Sequence, residues 1–310
     1  MVDKRKMENR KRAEIIQEIA SYFLSLTIGG NVLSVREISI KLKASVGLVS
    51  ETIKEIENAG GVTLEKRGQL GTSITEMSIG KLWQIARQEP LVIAHTLPSN
   101  HRYEGFASAL KEALNNAGLE TYFIFIRGSR TRVNALRENR CHIAITSQFA
   151  AEGLCSKKEE IAMTFPPCSF TSAHHLYLRG GVARDQTGLV VGVDPDSYDQ
   201  IRLSEIEFEG SDVSFQTFNF MNIYRYLASG AVDAAIWTED DMQPHLSDTI
   251  RQLPLSEHTR SIAGLGDTQA ALVTRRADTL TREVIKKTIE ITHIMNTQTE
   301  VIEGIRIPAY

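Results

Sequence analysis

Two segments with the pattern of short amphipathic helices lie only three residues apart near the N-terminus, and this spacing restricts the fold more than any other feature. Apolar residues at helical spacing predict helices over residues 35–42 and 46–58. Ser34 and Ser45 stand at the two N-cap positions, and Glu37 lies where it completes a capping box with Ser34. Two helices joined by so short a turn predict a helix-turn-helix.

The residues on either side extend this pattern to a winged helix. Apolar spacing predicts a first helix over residues 8–26, which Gly29 and Gly30 end. After Gly61 the spacing changes to alternation, which predicts a β-hairpin with a basic, glycine-bearing turn at residues 66–71. Three helices followed by a hairpin are the layout of a winged helix-turn-helix domain.

This segment resembles the DNA-binding domain of GntR-type bacterial regulators. The resemblance rests on Ser34-Val-Arg-Glu-Ile-Ser-Ile-Lys-Leu, Ser45-Val-Gly-Leu-Val-Ser, Ala59-Gly-Gly and Arg67-Gly-Gln-Leu-Gly-Thr72. It implies that the third helix enters the major groove and that the glycine-rich wing contacts the adjacent backbone. The residues expected to contact a double-stranded DNA operator, at base edges or phosphates, are Ser34, Arg36, Lys43, Ser45, Gly47, Leu48, Ser50, Lys54, Lys66, Arg67 and Thr72.

Two questions about this domain stay open at the level of sequence. A winged helix can also bind a protein, with its charged face in solvent. The basic tract at residues 4–12 either reaches DNA as an arm or is a solvated terminus. Since the few basic residues of one copy give modest affinity, DNA binding predicts a homodimer on two half-sites.

The overall composition excludes several classes of protein. A chain of 310 residues, 42% hydrophobic and 24% charged, is typical of a soluble globular protein of about two domains. No run of about 20 apolar residues is present, so we expect no membrane span and no secretory signal. The cysteines lack CxxC spacing, which argues against a disulfide framework and a zinc site. We therefore expect a cytoplasmic protein.

Beyond Pro90 the chain changes in charge and pattern, and it contains an internal match. Residues 1–80 carry a net charge of +2 and residues 81–310 a net charge of −5. From residue 91 strands and helices alternate, which predicts an α/β fold. Residues 136–147 and 227–238 correspond position for position: each is a helix end, a turn and a buried strand with a hydroxyl at its carboxyl end.

Paired units of this kind resemble the two lobes of a type II periplasmic-binding-protein fold, in which the chain finally returns to the first lobe. A strand over residues 269–274 and a helix over residues 281–299 suit that return. Combined with the winged helix, this domain resembles the YhfZ family over nearly the whole chain. The resemblance implies a DNA-binding regulator with a ligand-sensing domain. We expect a winged helix-turn-helix domain at residues 1–77, a linker helix at 78–90 and a two-lobed, periplasmic-binding-protein-like α/β domain at 91–310.

Ligands of open α/β sheets bind at the carboxyl ends of the strands, next to helix N-termini. Residues 127–131 open a helix with two arginines, two hydroxyls and a glycine, which favours an anionic ligand. The alternative is that both arginines are surface charges. The residues expected to contact the ligand are Thr96, Ser99, Arg127, Ser129, Arg130, Ser147, Gln148, Ser197, Asn219 and Trp237.

The sequence carries no motif of a nucleophilic, metal-dependent or nucleotide-dependent enzyme, so we predict no catalytic residue, no cofactor and no metal. The expected function is that of a transcriptional regulator whose α/β domain binds a small anionic metabolite, which modulates operator binding. The alternatives are an enzyme that acts on such a metabolite and a winged-helix adaptor that binds protein.

Overall fold

A computed structural model describes residues 2–241 and 249–310, with side chains described for residues 10–240 and 249–310. The basic residues at positions 4–6 lie outside the described side chains. The chain divides into two compact units. The first unit contains Met1–Leu91, Glu112–Tyr122 and Asp278–Ile289; the second unit contains Val92–Lys111, Phe123–Ala277 and Glu290–Tyr310.

The described helices belong to both units. They are α1 (Val2–Leu24), α2 (Val35–Leu42), α3 (Val46–Asn58), α4 (Ile79–Arg87), α5 (His101–Asn116), α6 (Ser129–Arg137), α7 (Gln148–Leu154), α8 (Tyr198–Glu207), α9 (Ile223–Ser229), α10 (Glu257–Ala263), α11 (Thr279–Thr288) and α12 (Ile291–Ile302). No helix in the described ranges combines the length and apolar character that crossing a bilayer requires.

The described strands form three sheets. They are β1 (Asn31–Val32), β2 (Val62–Lys66), β3 (Thr72–Met77), β4 (Leu91–His95), β5 (Thr121–Phe125), β6 (Ile143–Ser147), β7 (Glu159–Thr164), β8 (His174–Arg179), β9 (Leu189–Val193), β10 (Val213–Thr217), β11 (Ala234–Thr238), β12 (Ile250–Pro254) and β13 (Ala270–Arg275).

Helices α1, α2 and α3 form the predicted helix-turn-helix arrangement. Ile19 and Phe23 of α1 are fully buried, as are Val49 and Ile56 of α3, and the two helices contact each other. The two side chains are four residues apart in α1 and seven apart in α3, so each helix buries one apolar face. Lys43 ends α2 in a left-handed conformation with φ of 50°. The chain therefore changes direction within the three residues that the sequence left for the turn.

The predicted capping box at the start of α2 is confirmed. The Ser34 Oγ atom accepts a hydrogen bond from the Glu37 backbone N–H at 3.2 Å, and the Glu37 carboxylate accepts one from the Ser34 backbone N–H at 2.8 Å. Hydrogen bonds from Ser34 lower the pKa of Glu37, because they favour its charged form. At the next helix the Ser45 Oγ atom accepts from the Leu48 backbone N–H at 3.3 Å. Both helices thus begin where serine satisfies a free N–H group.

Replacing Ser34 with alanine is expected to lower the free energy of unfolding of the first unit by about 1 kcal/mol, since the N-cap hydrogen bond is lost. Urea denaturation followed by helical circular dichroism measures the change. Ser25→Ala is the matched control, because the exposed Ser25 hydroxyl only donates to the Tyr22 carbonyl at the end of α1. Equal stability of Ser34→Ala and wild type contradicts the capping role.

The predicted hairpin is present and carries a third strand. Strands β2 and β3 pair antiparallel, and the sheet order is β1-β3-β2. Strand β1 pairs Asn31 with Ser73 and Val32 with Thr72. Its two residues are too few for a periodic signal, so the sequence predicted only a loop there. Between β2 and β3 the wing turns at Gly68 and Gly71, whose φ angles are 58° and 85°.

The second unit contains two lobes, each built on a five-stranded sheet. Lobe one has the strand order β5-β4-β6-β13-β7, and lobe two has the order β10-β9-β11-β8-β12. In lobe two β9, β10 and β11 are parallel, and β8 is antiparallel to β11 and β12. Strand β13 returns from lobe two and pairs antiparallel with β6 and β7 of lobe one. The predicted return of the chain to the first lobe is therefore confirmed.

The internal match of the sequence corresponds to equivalent places in the two sheets. Helix α6 precedes β6, which lies between β4 and β13; helix α9 precedes β11, which lies between β9 and β8. Both strands are buried along their whole length. One predicted element differs in the structure. The helix expected over residues 281–299 is two helices, α11 and α12, separated by extended Ile289 and Glu290. At this point the chain passes from the first unit into the second, and Ile289 is buried.

Candidate DNA-binding surface and ligand-binding cleft

The candidate DNA-binding surface comprises α3, the turn before it and the wing. Of the predicted DNA contacts, those exposed to solvent are Ser34, Arg36, Lys43, Ser45, Gly47, Lys54, Lys66 and Arg67, and those partly buried are Leu48, Ser50 and Thr72. Exposure at the start of α3 is what contact with base edges requires. Actual contact with DNA by these residues stays a prediction.

The basic residues of this surface are available for phosphates. Within the described ranges Lys43, Lys54 and Lys66 make no ion pair shorter than 4.0 Å. The Arg67 Nε atom lies 2.8 Å from Glu65 Oε2, and both side chains are about half exposed. Since an exposed ion pair contributes little stability, a DNA phosphate can replace Glu65 as the partner of Arg67.

Arg12 on α1 is a neighbour of the recognition helix that sequence reasoning did not select. Its Nη2 atom donates to Glu55 Oε2 of α3 at 2.9 Å. The hydrogen bond and the charge of Glu55 raise the pKa of Arg12, and the charge of Glu51 adds to the effect. On the predicted recognition helix α3 the Glu55 carboxylate would repel phosphates, and its ion pair with Arg12 would offset part of that repulsion. The two residues lie 43 positions apart, and no local pattern connects them.

The candidate ligand site is a cavity of about 50 Å³ between the two lobes of the second unit. Six chain segments meet there: the loop after β4 with the start of α5, the start of α6, the segment that leads into β8, the start of α8, the turn after β10 and the end of β11. This is the placement that parallel strand ends and helix N-termini favour. The lining residues are Thr96, Ser99, Tyr103, Gly128, Ser129, Arg132, Phe170, His174, Ser197, Asp199, Gln200, Phe220, Trp237 and Thr238.

Half of the residues predicted to contact a ligand line this cavity. They are Thr96, Ser99, Ser129, Ser197 and Trp237. Ser129 also accepts a hydrogen bond from the Tyr198 backbone N–H at 3.0 Å, across the cleft. Trp237 and Phe220 lie with ring centroids 4.4 Å apart on one wall. Ligand contact by all ten predicted residues stays a prediction.

Arg127 instead joins the lobes to each other. Its guanidinium in lobe one forms ion pairs with Asp194 and Asp196 of lobe two. The Asp194 side chain is fully buried and also accepts a hydrogen bond from the Phe220 backbone N–H at 3.1 Å. The chain's own carboxylates thus occupy the position at which the sequence predicted an anionic ligand.

The other predicted contacts outside the cavity have partners within the chain. The Arg130 guanidinium lies 5.3 Å from the centre of the Tyr198 ring. The Ser147 hydroxyl caps α7 and donates to Asp199 Oδ1 at 2.6 Å. Gln148 donates to Glu152 at 2.7 Å, and Asn219 caps the short turn that follows it.

Arg132 is the cation at the centre of the site, and sequence reasoning overlooked it. The residue is only 3% exposed. Its Nε atom donates to the Ile145 carbonyl at 2.6 Å and its Nη1 atom to the Ile126 carbonyl at 2.9 Å. In the part of the chain that the structure describes, no carboxylate lies within 4.0 Å of it. Burial lowers the pKa of Arg132 to about 10, because the charged form loses its hydration. The sequence pattern could have identified it, because Arg132 lies one turn before Leu136 on the buried face of α6.

Asp199 is the buried anion of the same cavity. It is 6% exposed and accepts the hydrogen bond from Ser147. Burial raises the pKa of Asp199, although the nearby His174 and Arg132 oppose the shift. No cationic side chain among the described residues lies within 4.0 Å of its carboxylate. Asp199 was not among the predicted site residues, because α8 itself was not predicted.

Two further polar side chains line the cavity. His174 Nδ1 lies 2.8 Å from Asp267 Oδ2. Burial alone lowers the pKa of His174, but the hydrogen bond and charge of Asp267 outweigh it, so the pKa is raised. Gln200 is 2% exposed, and its Oε1 atom accepts from the Asp194 backbone N–H at 3.1 Å. This bond fixes the orientation of the amide, and its Nε2 atom is buried without an acceptor among the described residues.

Comparison with known proteins identifies the family. The family model of the YhfZ C-terminal domain matches residues 79–310. The chain belongs to the YhfZ family. YhfZ of Escherichia coli (strain K12) is 27% identical over 302 residues, which are 97% of this chain and 98% of that protein. A helix-turn-helix domain model matches residues 27–74. The family resemblance stated from the sequence is confirmed.

Solved structures confirm the fold. The crystal structure of YhfZ from Shigella flexneri is 28% identical, covers 71% of this chain and 93% of its own, and has a TM-score of 0.61. The periplasmic aliphatic sulphonate binding protein SsuA from Escherichia coli is 12% identical, with coverages of 70% and 75% and a TM-score of 0.52. The periplasmic VFT2 domain of BvgS from Bordetella pertussis is 16% identical, with coverages of 71% and 96% and a TM-score of 0.51. The similarity of this chain to SsuA and to the VFT2 domain of BvgS shows a shared fold and nothing beyond it. A YhfZ-family chain therefore joins a helix-turn-helix domain, which suggests DNA binding, to a periplasmic-binding-protein-like domain, which suggests small-molecule binding.

Proposed function

We propose that this YhfZ-family protein is a transcriptional regulator whose second unit binds a small metabolite with an anionic group, and that this ligand modulates operator binding. The observation on which this proposal rests is the buried guanidinium of Arg132, which has no ion pair with a described residue. A buried guanidinium without a counter-ion is costly unless a charge balances it. A carboxylate or phosphate in the cavity supplies that charge and can accept a hydrogen bond from the Nη2 atom, since Nε and Nη1 donate to backbone carbonyls.

The proposed regulation is a coupling between the two binding events. A ligand that binds the contacting lobes better than separated lobes shifts the population toward contact. If operator affinity differs between those states, ligand and DNA change each other's affinity by the same factor. We propose a homodimer on two half-sites, since one copy of the GntR-like surface offers few phosphate contacts. The regulator acts where its operator is, in the cytoplasm, and the cavity binds its ligand without transforming it.

The first test is the affinity of the purified full chain for its own upstream DNA at two salt concentrations. Lys54→Ala and Arg67→Ala are each expected to weaken binding and to reduce the slope of log K against log salt by about one for each copy bound, which is about two for the homodimer. Lys157→Ala is the matched control, since Lys157 is an exposed lysine of the second unit.

Different outcomes separate the possible roles of the first unit. Binding that prefers the upstream DNA, with a salt slope that is reduced in both the Lys54→Ala and the Arg67→Ala variant, supports the regulator. Weak binding of equal strength to any DNA, unchanged in Lys54→Ala, contradicts it and favours an adaptor that binds protein. Turnover of a bound ligand in the same preparations contradicts the proposal that the cavity only binds.

A further inference from the structure

Two side chains of opposite charge, neither of them in an ion pair with a described residue, line the cavity between the lobes. Arg132 comes from lobe one and Asp199 from lobe two, and both are more than nine-tenths buried. Each acts on the pKa of the other, yet they lie too far apart for an ion pair. Among the described side chains neither makes an ion pair within 4.0 Å, and His174, whose charge also lowers the pKa of Asp199, is itself paired with Asp267. Buried charges are normally paired, so this cavity has a place for two charges on a ligand rather than one.

We propose that the ligand is a small zwitterion of the amino-acid type, whose carboxylate binds Arg132 and whose ammonium group binds Asp199. This inference rests on the proposed ligand-binding function and narrows it. The carboxylate supplies the anionic group that Arg132 requires. The ammonium group separates this ligand class from plain acids and phosphates, which leave Asp199 unpaired.

The remaining polar groups of the cavity agree with this assignment. His174 is paired with Asp267, so together they add no net charge when both are ionised. The Gln200 Nε2 atom is a buried donor that needs an acceptor, and a second carboxylate oxygen can provide it. Arg132 uses Nε and Nη1 for backbone carbonyls, which leaves Nη2 for the ligand.

The size of the cavity restricts the ligand to a short one. One water needs about 10–15 Å³ of such space, so a cavity of about 50 Å³ holds roughly three to five water-sized groups. That is the size of a carboxylate, an ammonium group and a short side chain. Two aromatic pairs line the cavity, Tyr103 with Phe170 and Phe220 with Trp237, at centroid distances of 5.4 Å and 4.4 Å. These aromatic walls favour a ligand side chain that is apolar or weakly polar over one that carries a further charge.

The test compares ligands that differ in one charge, with the full-length wild-type chain. Isothermal titration calorimetry measures the binding of glycine, L-alanine, D-alanine, L-serine and D-serine at millimolar concentration. Lactate is the comparison for alanine, because it has a hydroxyl where alanine has the ammonium group. We expect at least one amino acid to bind and lactate to bind about tenfold to a hundredfold more weakly. Lactate that binds as tightly as alanine overturns the zwitterion, and so does a folded chain that binds no member of the panel.

A variant of Asp199 tests whether this carboxylate binds the ammonium group of the ligand. Asp199→Asn is expected to weaken amino-acid binding about tenfold to a hundredfold and to leave lactate binding unchanged. Asp185→Asn, an exposed carboxylate in the same unit, is expected to behave as wild type. An equal loss of both ligands in a folded Asp199→Asn chain contradicts the assignment; if that variant does not fold, the wild-type comparison of alanine with lactate still decides.

Failure of this inference differs from failure of the proposed function. If lactate and alanine bind equally and either changes operator affinity, the regulator stands and only the zwitterion is wrong. If an amino acid binds as expected but upstream DNA is not preferred over random DNA, the ligand class stands and the regulator is wrong.

Discussion

Arg127→Met is expected to separate the two lobes of the second unit without unfolding either of them. The substitution leaves the fully buried Asp194 carboxylate without its cation, and breaking such a pair costs about 3 kcal/mol. Separation of the lobes brings Asp194 back to water, which is a cheaper response than unfolding. The population of contacting lobes should therefore fall on the order of a hundredfold relative to wild type.

Hydrogen exchange at two backbone amides measures this change directly. The Arg130 N–H donates to the Asp196 carbonyl and the Tyr198 N–H donates to Ser129 Oγ, each at 3.0 Å and each across the cleft. Both amides lie in the first turn of a helix, where no intrahelical acceptor exists. Their protection therefore reports contact between the lobes, and we expect it to fall in Arg127→Met.

Two control variants make this result specific. The double variant Arg127→Met with Asp194→Asn should recover much of the protection, since a neutral amide needs no counter-ion. Arg202→Met removes an exposed arginine whose ion pair with Glu205 contributes little, so its exchange should match wild type. Wild-type protection in Arg127→Met itself is incompatible with a joining role for Arg127.

The first unit was predictable from sequence because its signals are local. Ser34 with Glu37 and Ser45 mark the starts of two helices within a dozen residues, and each signal depends only on neighbours in the chain. Strand β1 was not predictable, because its two residues become a strand only by pairing with β3. The contact of Arg12 with Glu55 depends on the folded bundle in the same way.

The cleft was predictable in position but not in detail. The strand-end rule selected the start of α6, and the cavity is there. It did not distinguish three arginines: Arg127 pairs with lobe two, Arg130 lies over Tyr198, and Arg132 turns inward. The direction of each arginine side chain depends on which side of α6 meets the other lobe. The local sequence pattern alone does not specify that side.

Helix α8 was not predicted because its buried face is partly polar. Asp199, Gln200 and Ser204 are buried together with Leu203 and Ile206. The polar members interrupt the apolar periodicity by which helices are recognised. Two of them, Asp199 and Gln200, line the candidate ligand cavity. Binding sites are where sequence rules for packing are expected to fail.

Gly128→Ala is expected to prevent close contact between the lobes, although it adds only one methyl group. A Cβ atom on Gly128 lies 2.4 Å from the Asp196 carbonyl oxygen of lobe two, so backbone has to move. With φ of 78° and ψ of 135° the backbone lies in a region that alanine rarely adopts, which adds strain of about 1–3 kcal/mol. The Arg130 and Tyr198 amides should lose protection, and any ligand that contacts both lobes should bind at least tenfold more weakly.

Gly210→Ala separates the collision from the backbone strain. Gly210 has nearly the same φ angle, 74°, in the same unit, but a Cβ atom there meets nothing within 4 Å. It should lower the stability of lobe two slightly and leave the exchange of Arg130 and Tyr198 unchanged. If both alanine variants affect those amides equally, strain alone accounts for the result and close approach at Gly128 is not required. If only Gly128→Ala does, the missing side chain at residue 128 is what allows Asp196 to approach and Arg127 to reach its two carboxylates.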